Sequence, residues 1–150
     1  MQLTNHFTSE EFSCHCCGRD GIDRHLVDIL EQIRASIKAP IKILSGVRCP
    51  RHNGLVGGSP HSQHLLGKAA DIYIRGYSVK DLYDLASQFF PTHFTGLGIY
   101  PEQRFIHVDI REGQPASWVY LKSINKYIPM KSFEELLKTD EKLRSRYEQK

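Results

Sequence analysis

From Phe105 to Arg111 the chain alternates with a period of two, and this run constrains the fold more than any other segment. Side chains of a strand point to opposite faces in turn, so Ile106, Val108 and Ile110 share one face while Phe105, His107, Asp109 and Arg111 share the other. The apolar set belongs in a core, which leaves His107 beside Asp109 on an uncovered polar face. Upstream, Ser62-Gln63-His64-Leu65-Leu66-Gly67-Lys68-Ala69-Ala70-Asp71 carries a second imidazole and a carboxylate. Gly67 permits a sharp change of direction between them, and Ala69 and Ala70 allow the next strand to pack closely. Two imidazoles and one carboxylate are a donor set that holds zinc with a coordination position left for water, as a metallohydrolase requires. Each of these residues alone has an ordinary structural explanation; their joint pattern does not.

The rest of the chain reads as one α+β domain. Thr8 to Phe12 resembles a capped helical turn. Leu26, Ile29, Leu30, Ile33 and Ile37 recur at helical spacing and predict an amphipathic helix over Asp23 to Lys38. Ile41 to Leu44 predicts a short strand that runs into Ser45-Gly46-Val47-Arg48-Cys49-Pro50, placing Arg48 at a strand end or in a loop. Asn53-Gly54 and Gly57-Gly58 predict an irregular loop from Arg51 to Ser59. A strand over Ala69 to Ile74, a helix capped by Ser78 and a hairpin of Gly96–Tyr100 with Phe105–Arg111 follow. Residues 121–150, rich in Lys and Glu, read as an extension to a domain of residues 1–120, with a solvated helix from Ser132 to Tyr147 docked by Phe133, Leu136 and Leu137.

With 150 residues, the chain has room for one core. Its 20 basic residues are interleaved with 17 acidic ones, giving a net charge of +3, so no basic stripe marks a nucleic-acid partner. No segment approaches the ~20 apolar residues of a membrane span, and the N-terminus lacks a basic region followed by an apolar one. Cytoplasmic synthesis without a signal peptide, as a monomer and with no membrane insertion, is the expectation. Cys14, Cys16 and Cys17 cluster around His15, and Cys49 stands apart. A second zinc site, disulfides and reduced thiols all remain open; reduced thiols are favoured, since the cluster does not show the paired arrangement of a zinc ribbon.

The pattern Ser62-x-His64-x-x-Gly67-x-Ala69-x-Asp71, with Phe105-Ile106-His107-Val108-Asp109, resembles the zinc D-Ala-D-Ala carboxypeptidase family, within the wider group of lysostaphin-type, carboxypeptidase and Hedgehog-like folds. Ser45 to Pro50 with Asn53 is similar to the family's arginine motif, and Gly96–Tyr100 with Trp118 to its closing segment. The likeness runs over residues 5 to 120. It implies a small antiparallel sheet with helices packed on one side, and His64, Asp71 and His107 as ligands of one catalytic Zn2+. It further implies that Arg48 binds a substrate carboxylate, with Ser62 and Gln63 contacting substrate or orienting the site.

The implied activity is hydrolysis of D-amino-acid-containing peptidoglycan stem peptides, foremost as a D-Ala-D-Ala carboxypeptidase. The alternatives are a murein endopeptidase or endolysin, released to the cell wall in the manner of phage enzymes, and a non-catalytic zinc module that binds the wall. Relatives place a Glu or Asp three residues before the last ligand, or a His two before it, as general base. Here those positions hold Arg104 and Phe105. Asp109 is the substitute, with orientation of His107 as its other role, and His61 and Glu102 stand behind it; His61 is also placed to stabilise the oxyanion.

Overall fold

The computed structural model describes residues 1–150. The first regular element is a 3-10 turn, Ser9–Phe12, entered at Thr8, whose backbone N–H donates to the Glu11 carboxylate at 2.7 Å. Helix α1 (Arg24–Ile37) starts where the Asp23 carboxylate accepts from His25 N and stops at Lys38, which takes a left-handed conformation. It buries Leu26, Val27, Ile29, Leu30 and Ile33, the stripe that the periodicity predicts.

Six strands form one sheet in the order β1-β2-β4-β3-β5-β6: β1 (Lys42–Ser45), β2 (Ala69–Tyr73), β3 (Gly96–Tyr100), β4 (Phe105–Asp109), β5 (Ala116–Leu121) and β6 (Lys126–Ile128). All neighbours are antiparallel except β3 and β5, which run parallel. The α+β architecture is thus as expected, with one parallel pair that no local pattern announces. Ala70 and Ile72 of β2, Leu97 and Ile99 of β3, Ile106 and Val108 of β4, and Val119 and Leu121 of β5 enter the hydrophobic core, together with residues of α1 and of α3 (Val79–Ser87).

Two segments depart from expectation. Residues 50–55 form a short helix, α2 (Pro50–Leu55), rather than an irregular loop. Pro50 occupies the first turn, where its missing N–H costs nothing, and the buried Asn53 donates through Nδ2 to Ser59 O at 2.9 Å. The predicted helix over 132–147 is two, α4 (Met130–Thr139) and α5 (Glu141–Glu148), broken at Asp140, whose carboxylate accepts from Leu143 N at 3.0 Å.

Residues 121–150 are built into the same body. A boundary at residue 120 falls inside β5, β6 extends the sheet, and Phe133, Leu143 and Tyr147 join the central core. Phe133 is fully buried with its ring edge-on to Tyr147 at 4.9 Å, whereas Leu136 is exposed and takes no part. Phe133→Ala is expected to lower the unfolding free energy by about 3–5 kcal/mol within a single denaturant transition followed by Trp118 fluorescence. A second transition, or an unchanged midpoint, would show that the C-terminal helices fold apart from the sheet.

Candidate metal centre

Strand register assembles the site. Asp71 of β2 lies directly opposite His107 of β4, which in turn faces Gly98 of β3, and Gly98 faces Trp118 of β5. This row crosses the sheet face that the core leaves open. Only glycine is tolerated at 98: a Cβ there would stand 2.5 Å from the Trp118 ring, which lies across the strand and against His107 at 5.1 Å between ring centroids. Gly96 likewise leaves room for the Asp109 carboxylate.

His64 arrives from a different element. Ser62 Oγ accepts from His64 N at 3.2 Å, starting a 3-10 turn (Gln63–Leu66) that Gly67 ends in a left-handed conformation. The His64 ring is 2 % exposed, and Asp71 and His107 are 6 % exposed. One ligand atom from each of the three lies within 4.8 Å of the others. His64 Nε2 is 3.2 Å and His107 Nδ1 is 3.1 Å from the same atom, Asp71 Oδ1.

The outer nitrogens determine what the inner ones offer. His64 Nδ1 sits 2.7 Å from the Gly46 carbonyl, which only accepts, so this nitrogen carries the proton. His107 Nε2 sits 2.7 Å from Asp109 Oδ2 and donates to it. With these tautomers, two imidazole lone pairs and a carboxylate oxygen converge on one point with no proton between them. Such a set calls for a cation, and its chemistry fits zinc.

The surrounding charges support the same reading. When protons rather than a cation occupy the centre, burial pushes the Asp71 and Asp109 carboxyls up, but hydrogen bonds from His107 to both, from His64 to Asp71 and from Arg111 to Asp109 hold them well below the usual carboxylate range. Burial lowers the His64 imidazole, against the pull of Asp71. Burial also works to lower His107, but its hydrogen bonds to Asp109 and Asp71 win and raise it.

Asp109 is completely buried behind the His107 ring and accepts from Arg111 N, Nε and Nη2 at 3.1, 3.0 and 2.6 Å. It therefore faces away from the converging lone pairs. Glu102 turns to Ser123 N and does not line the cleft.

The centre forms the floor of an open cleft of about 820 Å³. Arg48, Ser62 and Gln63 line it, with His61 on its exposed lip, as does an aromatic wall from β3, β4, β5 and β6. In that wall Tyr100 stacks on Phe105 at 4.5 Å, Tyr120 packs on Tyr127 at 4.7 Å, and Trp118 Nε1 donates to Tyr100 Oη at 3.3 Å. Arg111 stands 5.0 Å over the Trp118 ring. Tyr100, Arg111, Tyr120 and Tyr127 were not expected as site residues. Tyr127 reaches the cleft through the β5–β6 pairing, which has no local signal, whereas the alternation that selects His107 also selects Arg111.

Arg48 Nε donates to Ser45 Oγ at 3.1 Å, Nη1 to Asn53 Oδ1 at 3.3 Å and Nη2 to Asp71 Oδ2 at 3.1 Å. A guanidinium has five N–H donors, so two remain for a ligand. Asp71 Oδ2 is thereby occupied, and Oδ1 is left to the metal position.

A fold of this kind around a His-Asp-His centre defines a metallopeptidase scaffold. The Peptidase M15 family model matches residues 5–109, and the chain belongs to this family, whose members are metallopeptidases of the zinc D-Ala-D-Ala carboxypeptidase type. A search of curated proteins finds no match.

Asp109→Asn is expected to weaken zinc binding about 10- to 100-fold, measured by competition with a chromophoric chelator; an unchanged affinity would remove Asp109 from the centre's support. In the metal-free protein, the depressed Asp109 carboxyl contributes stability above the ordinary carboxylate pKa that is lost as pH falls below about 4. Acid titrations of unfolding are expected to be flatter for Asp109→Asn in that window.

Proposed function

We propose that this protein is a zinc peptidase that hydrolyses D-amino-acid-containing stem peptides of peptidoglycan, acting first as a D-Ala-D-Ala carboxypeptidase. The observation that carries this reading is the convergence of the deprotonated faces of His64, Asp71 and His107 on the floor of an open cleft. Zinc bound by these three residues would activate water and polarise the scissile carbonyl.

The chain's own residues supply the remaining roles. The two unused N–H donors of Arg48 bind the terminal carboxylate of the peptide, which favours removal of the last residue over internal cleavage. Ser62 sets the direction of the turn that carries His64, and Gln63 contacts the substrate backbone. Asp71 is the only carboxylate lining the cleft. Proton transfer from the attacking water to the leaving amine therefore falls to His61 at the cleft lip, while Asp109 holds the His107 ring in its tautomer. Burial pushes the Tyr100 hydroxyl well above its usual range. It accepts from Trp118, so its own proton remains to donate to the developing oxyanion.

The shortage of acids in the cleft also favours a second reading, a wall-binding module that holds zinc without turnover. Mass spectrometry of defined muropeptides separates the two. The zinc-loaded protein is expected to release D-alanine from stem peptides ending in D-Ala-D-Ala, with activity abolished by a chelator and restored by zinc. His61→Ala is expected to lower kcat about 10²- to 10⁴-fold, and Arg48→Ala to act mainly on KM. Intact muropeptides in the presence of zinc-loaded protein would leave the binding module; cleavage of an internal bond would make it an endopeptidase.

A further inference from the structure

Three of the four cysteines, none of which the peptidase reading uses, come together in the fold. We propose that Cys14, Cys17 and Cys49 hold a second, structural zinc ion, with Cys16 of the same turn swinging in as the fourth ligand, separate from the His64–Asp71–His107 centre. The Sγ atoms of Cys14, Cys17 and Cys49 lie within 4.8 Å of one another. Cys16 stands on the same turn as Cys14 and Cys17 and is exposed. All four are free thiols, with Cys14 and Cys49 buried. Zinc–sulfur bonds of ~2.3 Å in a tetrahedron place the sulfurs ~3.8 Å apart, so only a small contraction closes this cluster on an ion.

Backbone geometry favours a thiolate at Cys14, against burial, whereas the Cys16 and Cys17 thiols are pushed up. Cys49 N donates to Cys14 Sγ and His52 N to Cys49 Sγ, both at 3.4 Å, and the N–H groups of Cys16 and Cys17 also point to Cys14. Cys14 and Cys17 stand at C-x2-C spacing on a turn closed by Gly18 N to Cys14 O at 2.7 Å, with Gly18 in a left-handed conformation. Converging N–H donors stabilise negative sulfur, and soft thiolates select zinc over the harder divalent ions. A single disulfide between two of the three clustered sulfurs would leave the third packed against it with nothing to neutralise or link it. One tetrahedral ion uses all three and Cys16.

The site would clamp residues 12–17 to residues 46–49, alongside the existing Val47 N to Phe12 O bond of 2.7 Å. The second of these segments carries both the Gly46 carbonyl that orients His64 and the Arg48 guanidinium. Its purpose is therefore to fix the segment that supports the catalytic centre from behind.

Full-length protein loaded with cobalt(II) tests this without reference to peptidase activity. Elemental analysis is expected to give two metal ions per chain, and the cobalt protein an intense thiolate-to-cobalt charge-transfer absorption in the near ultraviolet. His64→Ala is expected to keep that absorption and one ion; Cys17→Ser is expected to lose the absorption and keep the ion at the imidazole centre. If Cys17→Ser does not fold, the native protein still decides, because its four thiols should resist a thiol reagent until a chelator is added. Cobalt-loaded protein without the charge-transfer band, thiols that react at once, or a mass lowered by the hydrogens lost in disulfide formation would each overturn the proposal.

Discussion

Asp71 and His107 meet because β2 and β4 pair in the one register that sets them opposite each other. A slip of β2 by one residue would turn Ala70 to the cleft and bury Asp71 in the apolar core, leaving His107 without its partner. The core prevents this slip, since Ala70, Ile72, Ile106 and Val108 are all packed on its side. Hydrophobic alternation thus does more than hold the sheet together: it determines which polar atoms face the open side, and through them whether a cation can be held.

Around that pair the protein spends its buried polar contacts on orientation. Gly46 and Asp109 each take the outer proton of one imidazole, Arg48 occupies the second oxygen of Asp71, and Arg111 closes off Asp109. Each contact reduces the number of ways the inner atoms can turn. The glycines of β3 serve the same end by making room for the Asp109 carboxylate and the Trp118 ring. The result is a rigid floor beneath a cleft whose exposed lip, around His61, carries no such constraint.

Features with a local physical cause were legible in the sequence. The stripe of α1, the faces of β4, the capping by Ser78 and the turn at Gly67 each follow from a few adjacent residues, and His64, Asp71 and His107 do come together. Non-local pairings were not legible: nothing in residues 116–121 announces a parallel partner in β3, and the short β6 has too few residues to show a period. Asn53-Gly54 reads as a turn, yet Pro50 and the cap at Cys49 begin a helix first, and the tertiary contacts of Asn53 hold it. Alternation places Asp109 on the face of His107 but does not say which side of the ring it touches. The cysteines show the same limit, because Cys49 joins the others only through the contact between the N-terminal segment and the end of β1.

The proposed chemistry requires one ion seated between His64, Asp71 and His107. Its most direct test is a crystal of the zinc-loaded protein with anomalous data collected on either side of the zinc edge. The expected result is a peak at ~2.0–2.2 Å from His64 Nε2, an Asp71 oxygen and His107 Nδ1, with a coordination position open to the cleft. Zinc-loaded crystals without a peak there, in which both imidazoles remain hydrogen-bonded directly to Asp71, would contradict it.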